Sequence, residues 1–386
     1  MQYRSFDYSN KTCLADALSN LEADDGDVIT IYLAIPPQGF SNVITCIEQV
    51  RERFPTCSLR MLIEKPFGVD LESAKELNAL LKRSFREEEI YRIDHYLGKE
   101  TVQNILALRF GNSMFEPLLN NRYVESISID LLEEQGIGSR AGYFDNTGII
   151  KDILQNHILQ IMSLVMMEPP VRMEAEFIRD EKYKVLRALR EIDCPEVILG
   201  QYTANNDLKG YHQEEGVPQD SRTETYVDMT AFVDNARWEG IPVRIRTGKR
   251  MPEKKAEIRI IFKPTFKYFV HQDENCNPQK NELVIQIQPK EEVYYSVNAK
   301  FPGRGMCIQP VKLHFTYEES FGTPSREAYT RLLKDAMLGD QTLFIRSDEI
   351  EWAWRYVTPL IEQQSCGDKE LISYPAGTMP DKEKSE

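Results

Sequence analysis

Val28-Ile29-Thr30-Ile31-Tyr32-Leu33-Ala34-Ile35 is a nearly unbroken run of β-favouring apolar residues, and Pro36-Pro37 stops it at once. A run of this length and character reads as a strand buried on both faces of a parallel sheet. The segment after it, roughly residues 40–53, has helical spacing. Leu59-Arg60-Met61-Leu62-Ile63 then reads as a second strand that closes on Glu64-Lys65-Pro66-Phe67-Gly68. A further helix over 70–83 starts at Asp70, a residue type that caps helix N-termini with its carboxylate. Strand–helix–strand–helix at this spacing predicts an α/β unit with right-handed crossovers. Ahead of it, residues 11–24 read as a short amphipathic helix ended by the acidic turn Asp24-Asp25-Gly26-Asp27.

Beyond residue 95 the pattern changes. A helix is expected over 100–110, and 124–130 alternates with period two, as a half-buried antiparallel strand does. From Ile149 to Met162 the chain reads as one strong helix, with Ile150, Ile153, Leu154, His157, Ile161 and Val165 on a single apolar face. Residues 180–191 form a charged helix. Strands follow at 225–233, 242–249, 257–262 and 282–288, then helices at 325–338 and 347–363, and a polar tail expected to fray from Gly367 onward. This predicts an α+β domain built on a large antiparallel sheet, which also offers a surface for a homo-oligomer. The expected division is residues 1–95 and residues 96–386.

The 386 residues suffice for two domains with their own cores. A net charge of −14 argues against a nucleic-acid partner, and no apolar run approaches the ~20 residues that span a bilayer. The first residues carry no signal-peptide core, and the seven cysteines include no C-x-x-C pair. No membrane, no metal site, reduced thiols and a cytoplasmic location are therefore expected.

Chemistry concentrates in Arg92-Ile93-Asp94-His95-Tyr96-Leu97-Gly98-Lys99-Glu100. Asp94 can accept from an imidazole, while His95, Tyr96 and Lys99 can each donate to an anion such as a phosphate. The alternative is a solvated polar loop ahead of a helix. Lys65 falls just past the end of a strand, where ligands of open α/β sheets bind, although a lysine there also serves as a solvated surface residue. His157 lies on the apolar face of its helix, where a histidine is more often a satisfied core residue than a base. Asp152 lies on another side of that helix, and spacing does not assign it to solvent or to a ligand.

These strings resemble the glucose-6-phosphate dehydrogenase family. The resemblance runs from about residue 27 to about residue 360. It is carried by Leu33-Ala34-Ile35-Pro36-Pro37, Ile63-Glu64-Lys65-Pro66-Phe67-Gly68, Arg92 to Glu100, Gly142-Tyr143-Phe144-Asp145, Gln155-Asn156-His157, Leu199-Gly200-Gln201-Tyr202, Arg237-Trp238-Glu239-Gly240-Ile241-Pro242, Thr247-Gly248-Lys249 and Arg346-Ser347-Asp348-Glu349. It implies oxidation of glucose 6-phosphate at C1 to 6-phosphogluconolactone, with hydride transfer to NADP, in the oxidative pentose phosphate pathway. It implies His157 as base and Asp94 as the carboxylate that orients it. His95, Tyr96 and Lys99 would grip the 6-phosphate, with Lys254 where the family has a basic residue. Lys65, Glu133, Asp152, Lys249 and Gln288 would hold the sugar, and Lys65, Phe40 and Pro36 would meet the coenzyme. Lys255, Arg259 and Arg246 match parts of the site for a second, structural NADP, but Gln286 replaces a basic residue there, which argues against that nucleotide. Family members open with a strand, a G-x-x-G-D-L-A phosphate loop and a helix. This chain enters the pattern after them, so the expected first domain is a partial Rossmann-like unit that lacks its first βαβ. A catalytically inactive sugar-phosphate-binding paralogue or partner subunit is the alternative.

Overall fold

A computed structural model describes residues 22–35, 39–265, 278–303, 307–322, 327–365 and 370–380. The expected helix over 11–24 lies almost wholly outside these residues, and so does Pro36. The acidic turn is present, with the Asp27 amide donating to the Asp24 carbonyl and Gly26 at φ +86°.

The N-terminal part alternates as expected. Strand β1 (Val28–Leu33) leads to helix α1 (Phe40–Arg53), β2 (Ser58–Ile63), α2 (Leu71–Ser84) and the short β3 (Ile90–Arg92). The three strands form one parallel sheet in the order β1-β2-β3. Asp70 caps α2 by accepting from the Ser73 amide at 2.8 Å. The expectation that β1 is buried on both faces does not hold. Val28 and Tyr32 are 44% and 43% exposed, because β1 pairs only with β2 among the described residues and lies at the sheet edge.

Helix α3 (Glu100–Phe110) follows, then β4 (Val124–Leu132) and α4 (Ala141–Ile149). The expected long α-helix is two structures. Ile150–Ile158 is π-helical, and α5 (Leu159–Met166) continues from it. After α6 (Ala175–Arg187) come β5 (Ile198–Thr203), β6 (Tyr226–Ala231), β7 (Val243–Gly248), β8 (Lys255–Phe262), β9 (Glu282–Gln288), β10 (Glu292–Lys300) and β11 (Ile308–Thr316). The chain continues through α7 (Tyr317–Phe321), α8 (Ala328–Leu338), α9 (Ser347–Ser365) and β12 (Ile372–Pro375).

The large sheet has the order β11-β10-β9-β8-β4-β7-β6-β5-β12. It is mixed rather than antiparallel, because β4 pairs parallel with β7 and β5 pairs parallel with β12. The first parallel pair arises because more than a hundred residues, including α4 to α6, separate β4 from β7, room for a crossover connection. The tail does not simply fray either. Tyr374 is fully buried, its phenol donating to the Lys249 carbonyl at 2.8 Å. Cys307 takes part in a disulfide, against the expectation of reduced thiols throughout. Among the described residues no helix is long and apolar enough to cross a membrane.

The topology gathers one edge of each sheet. Lys65 and Asp94 follow the carboxyl ends of β2 and β3. Parallel pairing sets the ends of β4 and β7 side by side, with the Glu133 amide donating to the Gly248 carbonyl at 2.8 Å, so Glu133 and Lys249 emerge together. Antiparallel β8 brings its start, and Lys254 just before it, to the same edge, where β9 ends at Gln288.

Candidate active site

The centre of the site is a pair of buried groups 63 residues apart. Asp94 Oδ1 accepts from the Tyr96 amide at 2.9 Å and lies 2.5 Å from His157 Nδ1. On the other side of the ring, Lys65 Nζ lies 3.0 Å from His157 Nε2 and also donates to the Asp152 carbonyl at 3.1 Å. An ammonium has only protons to offer, so it faces the lone pair of Nε2. The imidazole proton is then on Nδ1, shared with Asp94. Burial would raise the Asp94 carboxyl, but the His157 and His95 rings and Lys65 hold it well below the usual carboxylate range. The His157 ring sits below the ordinary histidine range, through burial that Asp94 opposes only partly and Lys65 reinforces. The result is a neutral imidazole with its basic nitrogen free of a proton.

The π-helix decides where Asp152 goes. In an α-helix, residues 152 and 157 would be about 140° apart around the axis. Hydrogen bonds between residues five apart bring both to one side. Asp152 is buried, 3.4 Å from Lys65 Nζ through Oδ1 and 3.4 Å from Lys249 Nζ through Oδ2. Lys249 Nζ also meets the Glu133 carboxylate.

A cavity of about 770 Å³ opens onto this centre. Lys65, His95, Tyr96, Lys99, Glu133, Asp152, His157, Lys249, Lys254 and Gln288 all line it, with Asp94 behind His157. Both signs of charge line it: Asp152 meets Lys65 and Lys249, and Glu133 meets Lys249. Burial and then Lys254 bring Lys99 down to about 8, against the opposing charges of Glu291, Asp94 and Glu133. Lys99 Nζ sits 4.1 Å above the Tyr96 ring. Burial and the neighbouring His157 push the His95 ring down to about 3, so His95 is a neutral donor and not a cation.

Sequence reasoning missed Glu64, Arg140, Tyr143 and Tyr329. The first three line the cavity; the Tyr329 phenol donates to Glu64, and its ring stacks on His95 with centroids 6.5 Å apart. Tyr143 stood inside a quoted motif without a role. Tyr329 carried no signal, since its helix meets this edge only through the fold.

Phe40 lines a second cavity of about 710 Å³ that shares Lys65 and Tyr143 with the first. Pro66, Phe67, Leu77 and Trp354 give it apolar walls. A flat aromatic ring such as a nicotinamide fits these walls and would lie beside Lys65. In the set considered for a second nucleotide, each cation meets a carboxylate. Arg246 grips Asp130 through two hydrogen bonds at 2.8 and 2.6 Å, Lys255 meets Asp130 and Glu257, and Arg259 meets Glu257 and Glu282. Each cation already faces carboxylates, which would repel a polyphosphate.

Comparison with known proteins gives the family. Residues 1–104 match the family model described as the glucose-6-phosphate dehydrogenase NAD binding domain, and residues 106–386 match that of the C-terminal domain. The chain is 41% identical over 360 residues to a glucose-6-phosphate 1-dehydrogenase of Chlamydia muridarum, covering 90% of this chain and 71% of the relative. It is 44% identical over 361 residues to that of Cyberlindnera jadinii, covering 91% and 71%. A solved structure described as glucose-6-phosphate dehydrogenase in complex with its substrate glucose-6-phosphate superposes with a TM-score of 0.89 at 36% identity, covering 98% of this chain and 79% of that one. The chain belongs to the glucose-6-phosphate dehydrogenase family.

Proposed function

We propose that this protein oxidises glucose 6-phosphate at C1 to 6-phosphogluconolactone. The observation that carries the reading is the neutral His157, whose unprotonated Nε2 faces the same cavity as the Lys99–Lys254 pair. His157 Nε2 takes the proton of the C1 hydroxyl as the C1–H bond breaks and the C1 carbonyl forms. Asp94 keeps the ring in the required tautomer and stabilises the imidazolium produced. Lys65 sits 3.0 Å from Nε2 and so next to the reacting oxygen, where its charge stabilises developing alkoxide. Lys99 and Lys254, with donors on His95 and Tyr96, hold the 6-phosphate. Asp152, Glu133, Lys249 and Gln288 take the sugar hydroxyls. NADP, the coenzyme of the family, supplies the hydride acceptor when bound, and Phe40, Pro36 and Lys65 would hold its nicotinamide end.

We also take the large sheet as the homo-oligomer surface, since among the described residues β11 pairs on one side only and exposes Val311 and Leu313. The cytoplasm is the proposed location.

The test is NADPH formation from glucose 6-phosphate by the purified chain, together with calorimetric binding of the sugar phosphate. His157→Asn should lower kcat by about 10²- to 10⁴-fold while sugar-phosphate binding persists. Turnover by the variant at the wild-type rate would remove His157 from this role. Binding without any turnover in the wild type would favour the inactive sugar-phosphate binder instead.

A further inference from the structure

The helix that carries Asp152 and His157 needs a cap that its own chain does not supply. At Gly148 (φ +67°, ψ 171°) the backbone leaves the helical conformation. The amides of Ile149 and Ile150 are therefore the first donors of a new helical run, with no helical carbonyl one turn behind them. Both are satisfied from a distant segment. The Ile149 amide donates to the Glu224 carbonyl at 3.1 Å, and the Ile150 amide donates to Glu224 Oε1 at 3.1 Å. Glycine at 148 serves both the positive φ and the approach of this side chain, since a Cβ there would stand 2.1 Å from Glu224 Oε1.

The next residue extends the device. The Thr225 carbonyl accepts from the Lys249 amide at 2.9 Å. Two consecutive residues thus hold the start of the π-helix and the main chain of Lys249. Lys249 and Asp152 are the two groups that then meet across the cavity at 3.4 Å.

We propose that Glu224 is a positioning residue for the dehydrogenase reaction: its buried carboxyl caps the catalytic helix from outside and, through Thr225, fixes that helix against Lys249. The carboxyl is shut away from water, and burial raises it to about 7, against hydrogen bonds from its own amide and that of Ile150 and the charge of Lys151. A cavity of about 250 Å³ beside it is lined by Lys151 from the π-helix and Asp145 from α4, the charged groups that face it. Long helix α9 contributes only Ile361 and Gln364, and the strand lead contributes Thr223. Asp145 Oδ1 accepts from the hydroxyls of Tyr211 and Ser221. An ionised carboxylate is the stronger cap, because its bond to the Ile150 amide is charge-assisted and it faces the positive end of the helix. The cap therefore tightens as pH rises through about 7. Global stability moves the other way. A folded-state pKa above the unfolded value gives stability that is present in acid and lost as pH rises through about 7.

The inference rests on the proposed dehydrogenase activity, so its test has a second readout. Hydrogen exchange at Ile149 and Ile150 and steady-state turnover of glucose 6-phosphate are measured for wild type, Glu224→Ala and Glu224→Gln between about pH 6 and 8. In Glu224→Ala the Ile150 amide should exchange about tenfold faster, with the Ile149 amide, whose main-chain acceptor alanine keeps, as the internal reference, and kcat should fall about tenfold to a hundredfold. Glu224→Gln keeps an acceptor for the Ile150 amide and should restore both to within about threefold. It should also flatten the pH dependence of exchange near 7. Unchanged exchange in Glu224→Ala would overturn the proposal. So would a Glu224→Gln protein as impaired as Glu224→Ala, because an isosteric side chain that keeps an acceptor for the Ile150 amide should hold the cap. If the wild type turns over no glucose 6-phosphate, the dehydrogenase reading falls and the exchange measurement still decides the cap.

Discussion

Lys99 is proposed to hold the 6-phosphate, and burial and Lys254 bring its ammonium down to about 8. It is protonated below its value of about 8 and neutral above it, while a sugar phosphate remains a dianion across that range. The expected outcome is a kcat/KM for glucose 6-phosphate that declines as pH rises past about 8, mostly through KM. Lys99→Arg should move that decline upward, because a guanidinium does not titrate there. A limb that stays in place would assign it to another group. At the acid end the sign is set by His157, which must be neutral in its proposed role as base. Activity should hold as pH falls through the ordinary histidine range and drop only below it. Residue type and motif were enough to nominate Asp94 and Lys99. For His157 residue type was not enough, since an imidazole on an apolar face looks the same whether it is packed or reactive, and only the family motif nominated it. The difference is made by Lys65 at Nε2, a neighbour 92 positions away in the chain.

Among the elements, α6 and α9 are joined by an ion pair that water does not reach. Lys182 Nζ lies 2.9 Å from Glu349 Oε2, with side chains 1% and 0% exposed. Glu349 also accepts from the Arg346 amide through Oε1 at 3.0 Å. Removing one partner strands the other charge, so Lys182→Met should lower unfolding stability by about 3–5 kcal/mol. The double variant Lys182→Met/Glu349→Gln should recover part of that loss, read from denaturant midpoints. Equal losses in single and double variants would show the pair to be immaterial. Helix ends such as Asp70 at α2 were legible because a cap is local. The π-helix was not, because its side chains still satisfy an α-helical pattern and its start depends on Glu224. The parallel pairing of β4 with β7 was hidden for a related reason. Period-two alternation marks a strand and one buried face, but says nothing of the direction of its neighbour.

For the molecule as a whole, the last ordered strand is part of the site's support. The Tyr374 phenol bonds the Lys249 carbonyl at 2.8 Å and Thr225 Oγ1 at 2.9 Å, so β12 braces the same segment that Thr225 holds. Tyr374→Phe leaves a buried carbonyl short of a donor. It should cost about 1–3 kcal/mol in unfolding stability and raise KM for glucose 6-phosphate more than it lowers kcat. Unchanged stability and KM would mean that the brace is redundant. By itself the sequence determined the alternating N-terminal unit, the strands and helices with clear periodicity, and the residue types that line the polar cavity. Each of these follows from neighbours a few positions away: apolar spacing, a capping carboxylate, a motif. The tertiary structure alone decided that Asp152 faces Lys65 and Lys249, that His157 is held neutral, that Arg246, Lys255 and Arg259 face carboxylates, and that β12 lies at the sheet edge. Those outcomes depend on burial and on charges brought together from distant strands. Electrostatic energy depends on distance in space, and separation along the chain does not report it.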